Sequence, residues 1–180
     1  MKEIIAIIMS RRSVLFASSI KPVRRFWFTL VLTLLVVVGL SGTVAATNYN
    51  GQSLAGADFS GQDLTSSSFV RSDLRRANFS NANLSGVSLN GALLENANLE
   101  GANLSYATLD GAVFDRSNLT NAVLEGAFAF GTQFRSAIIS GADFTDVFMQ
   151  GDNEKELCEI YQGTNPTTGN ETRDTLYCDS

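Results

Sequence analysis

The sequence contains no histidine, two prolines and two cysteines in 180 residues. A chain without histidine lacks the commonest general base and the commonest metal ligand. It also has no glycine-rich loop that would cradle a phosphate, because most of its 15 glycines follow a regular five-residue spacing. These absences argue against an enzyme, and we expect no catalytic residue, no cofactor and no metal site.

A large apolar residue recurs at every fifth position through the middle of the chain. The series is Leu54, Phe59, Leu64, Phe69, Leu74, Phe79, Leu84, Leu89, Leu94, Leu99, Leu104, Leu109, Phe114, Leu119 and Leu124, and after Ala129 it resumes with Phe134, Ile139, Phe144 and Met149. A period of five fits neither the 3.6-residue period of a helix nor the two-residue period of a strand. It indicates a repeat architecture, which favours surface display over catalysis.

If the chain turns through a fixed angle every five residues, these apolar side chains all point to one axis. Four such sides close a square coil, so positions 54–149 are expected to make about five coils, stacked about 4.8 Å apart like hydrogen-bonded strands. Glycine or asparagine commonly stands two residues after the apolar position, where a tight turn favours positive φ. Arg71, Arg76, Tyr106 and Arg116 occupy the same place, and we expect their turns to avoid positive φ.

The pattern A-(D/N)-(L/F)-x-x resembles that of the pentapeptide-repeat family, as in Ala77-Asn78-Phe79 and Ala102-Asn103-Leu104. The match covers about 54–151, a little over half of the chain. The resemblance implies an all-β solenoid in the form of a right-handed quadrilateral β-helix. We assign residues 47–151 to this domain.

Residues 1–46 differ in composition from the repeats and have the features of a signal peptide. Basic residues precede an uncharged apolar run of 15 residues, Phe26 to Leu40, which is short for a membrane span. Val44-Ala45-Ala46 offers the small residues of a cleavage site. We expect export, cleavage near Ala46 and no membrane association after the signal is removed, with an uncleaved signal anchor as the alternative.

The last segment, 152–180, breaks the five-residue period. The run Asn153-Glu154-Lys155-Glu156 has the spacing of a helix capping box, so we expect a short helix from there to about Gln162. Cys158 and Cys178 are the only cysteines, and both lie in this segment. Because an exported chain meets an oxidising compartment, we expect a disulfide that closes the tail, with two free thiols as the alternative.

The end of the chain also resembles one subgroup of the family. TNPTTG at 164–169 and LYC at 176–178 are similar to the ending of pentapeptide-repeat proteins of the cyanobacterial and chloroplast thylakoid lumen. That resemblance implies the thylakoid lumen as the destination, with the periplasm as the alternative. It implies no catalytic residue.

Beyond position 46 the chain carries seven basic and 17 acidic residues, a formal charge of −10. This charge disfavours binding to nucleic acid or to an anionic membrane. Residues twenty apart should lie one above another on the outer surface. Arg75, Glu95, Asp115 and Arg135 are therefore expected to form a column with attractive Arg75–Glu95 and Asp115–Arg135 pairs.

Three aromatic residues leave the inward series where it lapses at Ala129. Phe128 and Phe130 flank Ala129, and Phe148 stands twenty residues after Phe128. We expect the three rings outside the core, where they form a candidate docking patch. The leading expectation is that the tail helix folds back over them, and a partner or dimer surface is the alternative.

Export, a solenoid surface and missing active-site chemistry favour a non-catalytic protein-interaction or structural module. We expect an unidentified protein partner, and a monomer or a weak dimer. The alternative is an acidic mimic of DNA, because some pentapeptide-repeat proteins protect the topoisomerase gyrase in this way and the charge of −10 suits them. A signal segment does not suit that alternative, since gyrase is cytoplasmic.

Overall fold

The computed structural model describes residues 46–176 and Cys178, with the backbone alone at 151–153. The predicted signal segment, 1–46, lies outside this range except for its last residue, so cleavage near Ala46 stays a prediction. Among the described residues, no helix has the length and apolar character needed to cross a membrane.

The repeats wind as a coil in which bridging residues pair with residues twenty positions later. The bridges between coils are parallel: Ser53 pairs with Asp73, and Asp73 pairs with Leu93. At one such step the amide of Leu54 donates to the carbonyl of Asp73 over 2.8 Å, and the amide of Asp73 donates to the carbonyl of Gln52 over 2.9 Å. Four five-residue repeats therefore make one coil, and each repeat forms one side.

Most sides contribute a single bridging residue instead of a longer strand, because a turn follows in every repeat. Two sides in the described range are longer. Strand β1 (Phe128–Ala129) pairs in parallel with strand β2 (Phe148–Met149), so that Phe128 lies opposite Phe148.

The apolar position of each repeat points into the shaft that the coils enclose. Leu74, Phe79, Leu84 and Leu89 come from the four sides of one coil, and all four are fully buried. Aromatic rings stack along the axis, as at Phe59 and Phe79, whose centroids lie 5.0 Å apart with an interplanar angle of 10°. Burying each such side chain stabilises the fold by about 1.5–3 kcal/mol. The shaft is therefore the hydrophobic core.

Most turns adopt left-handed backbone conformations whether or not they hold glycine. The expectation that Arg71, Arg76, Tyr106 and Arg116 avoid positive φ is wrong, because their φ angles are 54°, 60°, 59° and 57°. Gly111, at the same place in its repeat, has a φ of 66°. The amide at each of these four corners donates to a carbonyl of the next coil, as from Arg71 to Asn90 over 2.9 Å, so a different turn type in one coil would disrupt the pairing with its neighbours. Tertiary pairing here overrides the preference of the side chain.

The four sides build four walls, which the chain visits in a constant order. The arginine wall, including its two corners, comprises 51–56, 71–76, 91–96, 111–116 and 131–136, and the asparagine wall comprises 57–60, 77–80, 97–100, 117–120 and 137–140. The tail wall comprises 62–65, 82–85, 102–105, 122–125 and 142–145. The aromatic wall comprises 47–50, 67–70, 87–90, 107–110, 127–130 and 147–150. Because the coil closes after four sides, the aromatic wall adjoins the arginine wall at one corner and the tail wall at the other.

The tail contains helices α1 (Gly151–Cys158) and α2 (Thr172–Thr175). The predicted capping box is wrong, since α1 begins before Asn153 and its N-cap, Gln150, makes no side-chain capping bond. The helix also ends well before Gln162. Instead of continuing the helix, the carbonyl of Gln162 accepts a hydrogen bond of 2.6 Å from the amide of Gly141 on the shaft. Contacts with the last coils therefore decide where the helix lies.

Candidate interaction site

The aromatic wall ends in three exposed phenylalanines, Phe128, Phe130 and Phe148, which we call the aromatic cluster. Their exposed fractions are 42%, 48% and 52%. The rings of Phe128 and Phe148 stack, with centroids 5.2 Å apart and an interplanar angle of 10°. The structure thus places all three rings outside the core and brings two of them into contact.

Backbone pairing determines the direction of these rings. Ala129 is fully buried and pairs with Met149, so its neighbours along the chain point away from the core. The amide of Phe130 donates a 3.0 Å hydrogen bond to Oδ1 of Asp110 on the preceding coil. The rings therefore stand on a backbone that is held from both sides.

The described part of the tail does not cover the aromatic cluster, whose three rings stay exposed, so that expectation is wrong. Leu157 of α1 is fully buried and Leu176 is 2% exposed, and both join the hydrophobic core. Leu176 lines a cavity of about 80 Å³ together with Phe144 and Met149 of the last coil. The open end of the shaft offers the tail a deeper apolar surface than the flat wall does, and the tail closes that end.

This cavity offers little chemistry. Its polar lining residues are Glu154 and Thr175, and its other walls are apolar. A single carboxylate beside a hydroxyl does not form the acid–base pair that hydrolysis or transfer usually needs. The part of the chain that the structure describes holds no group of three or more His, Cys, Asp or Glu side chains placed to bind a metal.

A buried asparagine fastens the tail to the shaft. Nδ2 of Asn165 donates to the carbonyls of Asn121, Ala122 and Gly141 at 3.2, 3.1 and 2.8 Å. Its Oδ1 accepts a 2.8 Å bond from the amide of Thr167. The sequence did not single out Asn165, because an asparagine in a turn-rich stretch is ordinary until the carbonyls that it meets are known.

A buried carboxylate on the tail wall provides a second attachment. Nδ2 of Asn170 donates to Oδ2 of Asp143 at 3.0 Å. Burial alone would raise the pKa of Asp143, but hydrogen bonds from Thr145, Thr168 and Asn170 outweigh it and hold this pKa below its ordinary value of 3.8. The ionised carboxylate is therefore the form that holds the tail.

The structure contains the disulfide that the sequence predicted. Cys158 at the end of α1 is bonded to Cys178, with the two Cα atoms 5.5 Å apart. The bond joins residues separated by 20 positions, and closing a loop of that length stabilises the fold by roughly 3 kcal/mol on the chain-entropy account. The disulfide thereby ties together the two parts of the tail that carry Leu157 and Leu176, which pack against the shaft.

The predicted charge column forms in part. The Asp115–Arg135 pair is confirmed, with 2.9 Å between Oδ2 and Nη2. The predicted attraction between Arg75 and Glu95 is present, since hydrogen bonds to Asp73 and, more weakly, the charge of Glu95 raise the pKa of Arg75, but the contact partner of Arg75 is Asp73. Arg75 donates from Nε and Nη2 to the two carboxylate oxygens of Asp73 at 2.8 and 2.7 Å. These hydrogen bonds lower the pKa of Asp73 to about 2. Asp73 lies two residues away on the same side, within closer reach than the next coil.

The solved structures that resemble this chain include two pentapeptide repeat proteins. One is a pentapeptide repeat protein from the Arabidopsis thaliana thylakoid lumen, 48% identical, with a TM-score of 0.72 over 73% of this chain and 92% of that one. The other is a pentapeptide repeat protein from Nostoc PCC 7120, 26% identical, with a TM-score of 0.51 over 66% of this chain and 95% of that one.

The sequence comparisons agree with these structures. Thylakoid lumenal 15 kDa protein 1 of Arabidopsis thaliana chloroplasts is 58% identical over 40 residues, which are 22% of this chain and 18% of that protein. The matched stretch thus spans less than a fifth of that relative. The family model of pentapeptide repeats matches eight copies, over residues 50–81, 77–116 and 112–151. Since these matches cover more than half of the sequence, the chain belongs to the pentapeptide-repeat family.

Proposed function

We propose that this protein is a non-catalytic protein-interaction module of the thylakoid lumen, which binds its partner through the aromatic cluster. The observation that carries this proposal is that Phe128 and Phe148 form an ordered stack and yet stay 42% and 52% exposed. Adjacent exposed rings on a polar surface are typical of protein-interaction sites, where aromatic residues supply much of the binding energy.

The fold supports this role because it is rigid and its walls are long. The constant twenty-residue offset between bridges over 48–149 supports about five coils, and the family resemblance supports a right-handed coil. A partner would therefore meet a surface that needs little ordering on binding, which lowers the entropic cost of association.

The proposed location rests on two observations. The solved lumenal structure is 48% identical over most of its length, and the first 46 residues have the composition of a signal peptide. Fractionation with N-terminal sequencing tests both. We expect a lumenal protein that begins near Thr47; unprocessed protein in the cytosol would contradict the location.

The charge of −10 beyond position 46 favours the alternative, a DNA mimic. The distribution of charge works against it. A duplex is negative on every side, whereas one wall of this shaft holds five arginines and only three carboxylates. Recovery of gyrase with the purified protein would favour the mimic over the module proposed here.

The interaction role is tested with the full chain, carrying a C-terminal affinity tag, in a photosynthetic host. We expect a defined partner to copurify with the wild type and to be lost from a Phe128→Ser/Phe148→Ser variant. A matched control, Ile138→Ser/Ile160→Ser, removes two exposed apolar residues outside the aromatic wall and should retain the partner. Equal recovery with all three proteins would contradict the proposed site.

A further inference from the structure

The arginine wall is a second exposed surface with a chemistry of its own. All basic residues of the repeats lie on it or at its two corners, and they are Arg71, Arg75, Arg76, Arg116 and Arg135. The same wall carries three carboxylates, Asp73, Glu95 and Asp115, so five positive charges oppose three negative ones. The wall is therefore locally positive on a chain that is strongly acidic beyond position 46.

Three of these arginines are available for a ligand. Among the described residues, salt bridges engage Arg75 and Arg135. Arg71 and Arg116 form no ion pair there, and Arg76 acts on Asp73 through its charge without a salt bridge. All three available arginines are exposed.

The available arginines surround a short apolar strip. Arg71 lies at the corner where the chain enters the wall, and Arg76 and Arg116 lie at the corner where it leaves. Arg76 and Arg116 are two coils apart, a separation of about 10 Å between backbones. Between the two corners, Leu93 is 37% exposed and Val113 is half-buried, and the three carboxylates of the wall lie beside them. Guanidinium groups around an apolar centre are a common composition for a protein interface.

The asparagine wall and the tail wall do not offer such groups. On the asparagine wall the side-chain amides bond to each other: Asn118 donates to Asn98 at 3.2 Å, Asn98 to Asn78 at 3.3 Å, and Asn78 to Asp58 at 3.1 Å. The tail occupies the C-terminal part of the tail wall through Asn165. The arginine wall is thus distinguished by cations that are not already engaged.

We propose that the arginine wall binds an acidic segment of a partner protein. Carboxylates of that segment pair with Arg71, Arg76 and Arg116, and one of its apolar side chains packs on Leu93. Charge complementarity selects this occupant, because guanidinium groups bind carboxylates in a bidentate geometry. A second copy of this acidic chain, or an extended anionic membrane, would be repelled by the remaining walls. A short segment stays within about one screening length of the arginine wall, roughly 8–10 Å, so this repulsion on it is small.

This inference rests on the proposed interaction role but not on the aromatic cluster. The two surfaces meet at one corner of the shaft, so one partner can contact both. Failure of one surface is distinguishable from failure of the other, since Phe128→Ser/Phe148→Ser is expected to leave binding at the arginine wall unchanged.

The test uses the purified full chain and a fluorescein-labelled peptide of four Glu-Glu-Leu repeats, with fluorescence anisotropy as the readout. We expect R71Q/R116Q to weaken binding roughly three- to tenfold, as for the loss of two exposed ion pairs. The matched control K155Q/R173Q removes the same charge from the tail and should weaken binding less than about twofold. Thermal unfolding of each variant checks that the fold is intact.

Several outcomes would overturn the proposal. Equal weakening of peptide binding by R71Q/R116Q and K155Q/R173Q would mean that only the net charge of the protein matters. Absence of peptide binding by the wild type would show that the wall does not bind an acidic segment. Binding to phosphatidylglycerol vesicles that R71Q/R116Q abolishes would assign the wall to a membrane surface. Self-association in sedimentation equilibrium that the same variant abolishes would assign it to a second copy.

Discussion

Asn170 in the tail donates a 3.0 Å hydrogen bond from Nδ2 to Oδ2 of Asp143 on the shaft. The other carboxylate oxygen of Asp143 accepts bonds of 2.9 and 2.6 Å from the amide and hydroxyl of Thr145. Asp143 is 1% exposed. An ionised carboxylate only accepts hydrogen bonds, whereas a protonated one carries an O–H donor for which these donating neighbours offer no good acceptor. Attachment of the tail is therefore coupled to the charge of one buried group.

We predict that acid weakens this attachment. The pKa of Asp143 in the folded protein lies below its ordinary value of 3.8. Its stabilising contribution is therefore present above that pH and is lost as the pH falls through the folded value. The free energy of unfolding is measured by urea denaturation from pH 6 to pH 2. The wild-type value should exceed that of Asp143→Asn at pH 6, and the two should converge as the pH falls below about 4. A constant difference across this range would show that ionisation is not responsible.

Replacement of the buried Asn165 should destabilise the tail strongly. Asn165→Ala leaves the carbonyls of Asn121, Ala122 and Gly141 without the side-chain donor that they share. We expect a loss of about 2–4 kcal/mol in the free energy of unfolding. Thr167→Ala, at an exposed neighbouring position, is the control and should change stability by less than about 0.5 kcal/mol. Similar losses in the two variants would contradict the role of Asn165.

A matched pair of leucines tests how much the shaft depends on its inward residues. Leu99 is fully buried, and Leu93 is 37% exposed on the arginine wall. Leu99→Ala should lower the free energy of unfolding by about 2–5 kcal/mol, because it removes buried apolar surface and leaves a cavity. Leu93→Ala should cost under about 1 kcal/mol. Urea titrations of both variants decide the matter, and a cost at Leu93 equal to that at Leu99 would mean that burial does not separate the two positions.

The turn at Gly111 isolates the energetic cost of a left-handed backbone. Its φ is 66°, and an added Cβ would meet nothing within 4 Å. Gly111→Ala should therefore destabilise the protein by about 1–2 kcal/mol through backbone strain alone. At Gly101, with a φ of 65°, the added Cβ would also lie 2.6 Å from Oδ1 of Asn81. Gly101→Ala is expected to cost more unless Asn81 rotates away, and thermal unfolding measures both variants.

The sequence predicts the features common to all repeats more accurately than the features of individual residues. The inward residues, such as Leu99, follow from their spacing because each repeat must bury the same position. The turn at Arg116 differs from the prediction because pairing with the neighbouring coils outweighs the preference of its own side chain. The start of α1 was mispredicted for a similar reason, since contact with the end of the shaft outweighs a local capping motif.

The sites show the same division. The place of Phe128 beside Ala129 predicts that its side chain points away from the core. It does not predict that the ring stays uncovered, because the position of the tail depends on where Leu157 is buried. The pairing of Arg75 with Asp73 likewise depended on the reach of one side chain.

By itself, the sequence determined a five-residue repeat, an apolar shaft and a tail with two cysteines. These features follow from local pattern and composition, and twenty-residue stacking turns them into a closed coil. Tertiary structure decided which outward residues meet: Phe128 with Phe148, Asn165 with the carbonyl of Gly141, and Asn170 with Asp143. The core constrains inward residues in every repeat alike, whereas outward residues are constrained only by the neighbours that folding brings to them.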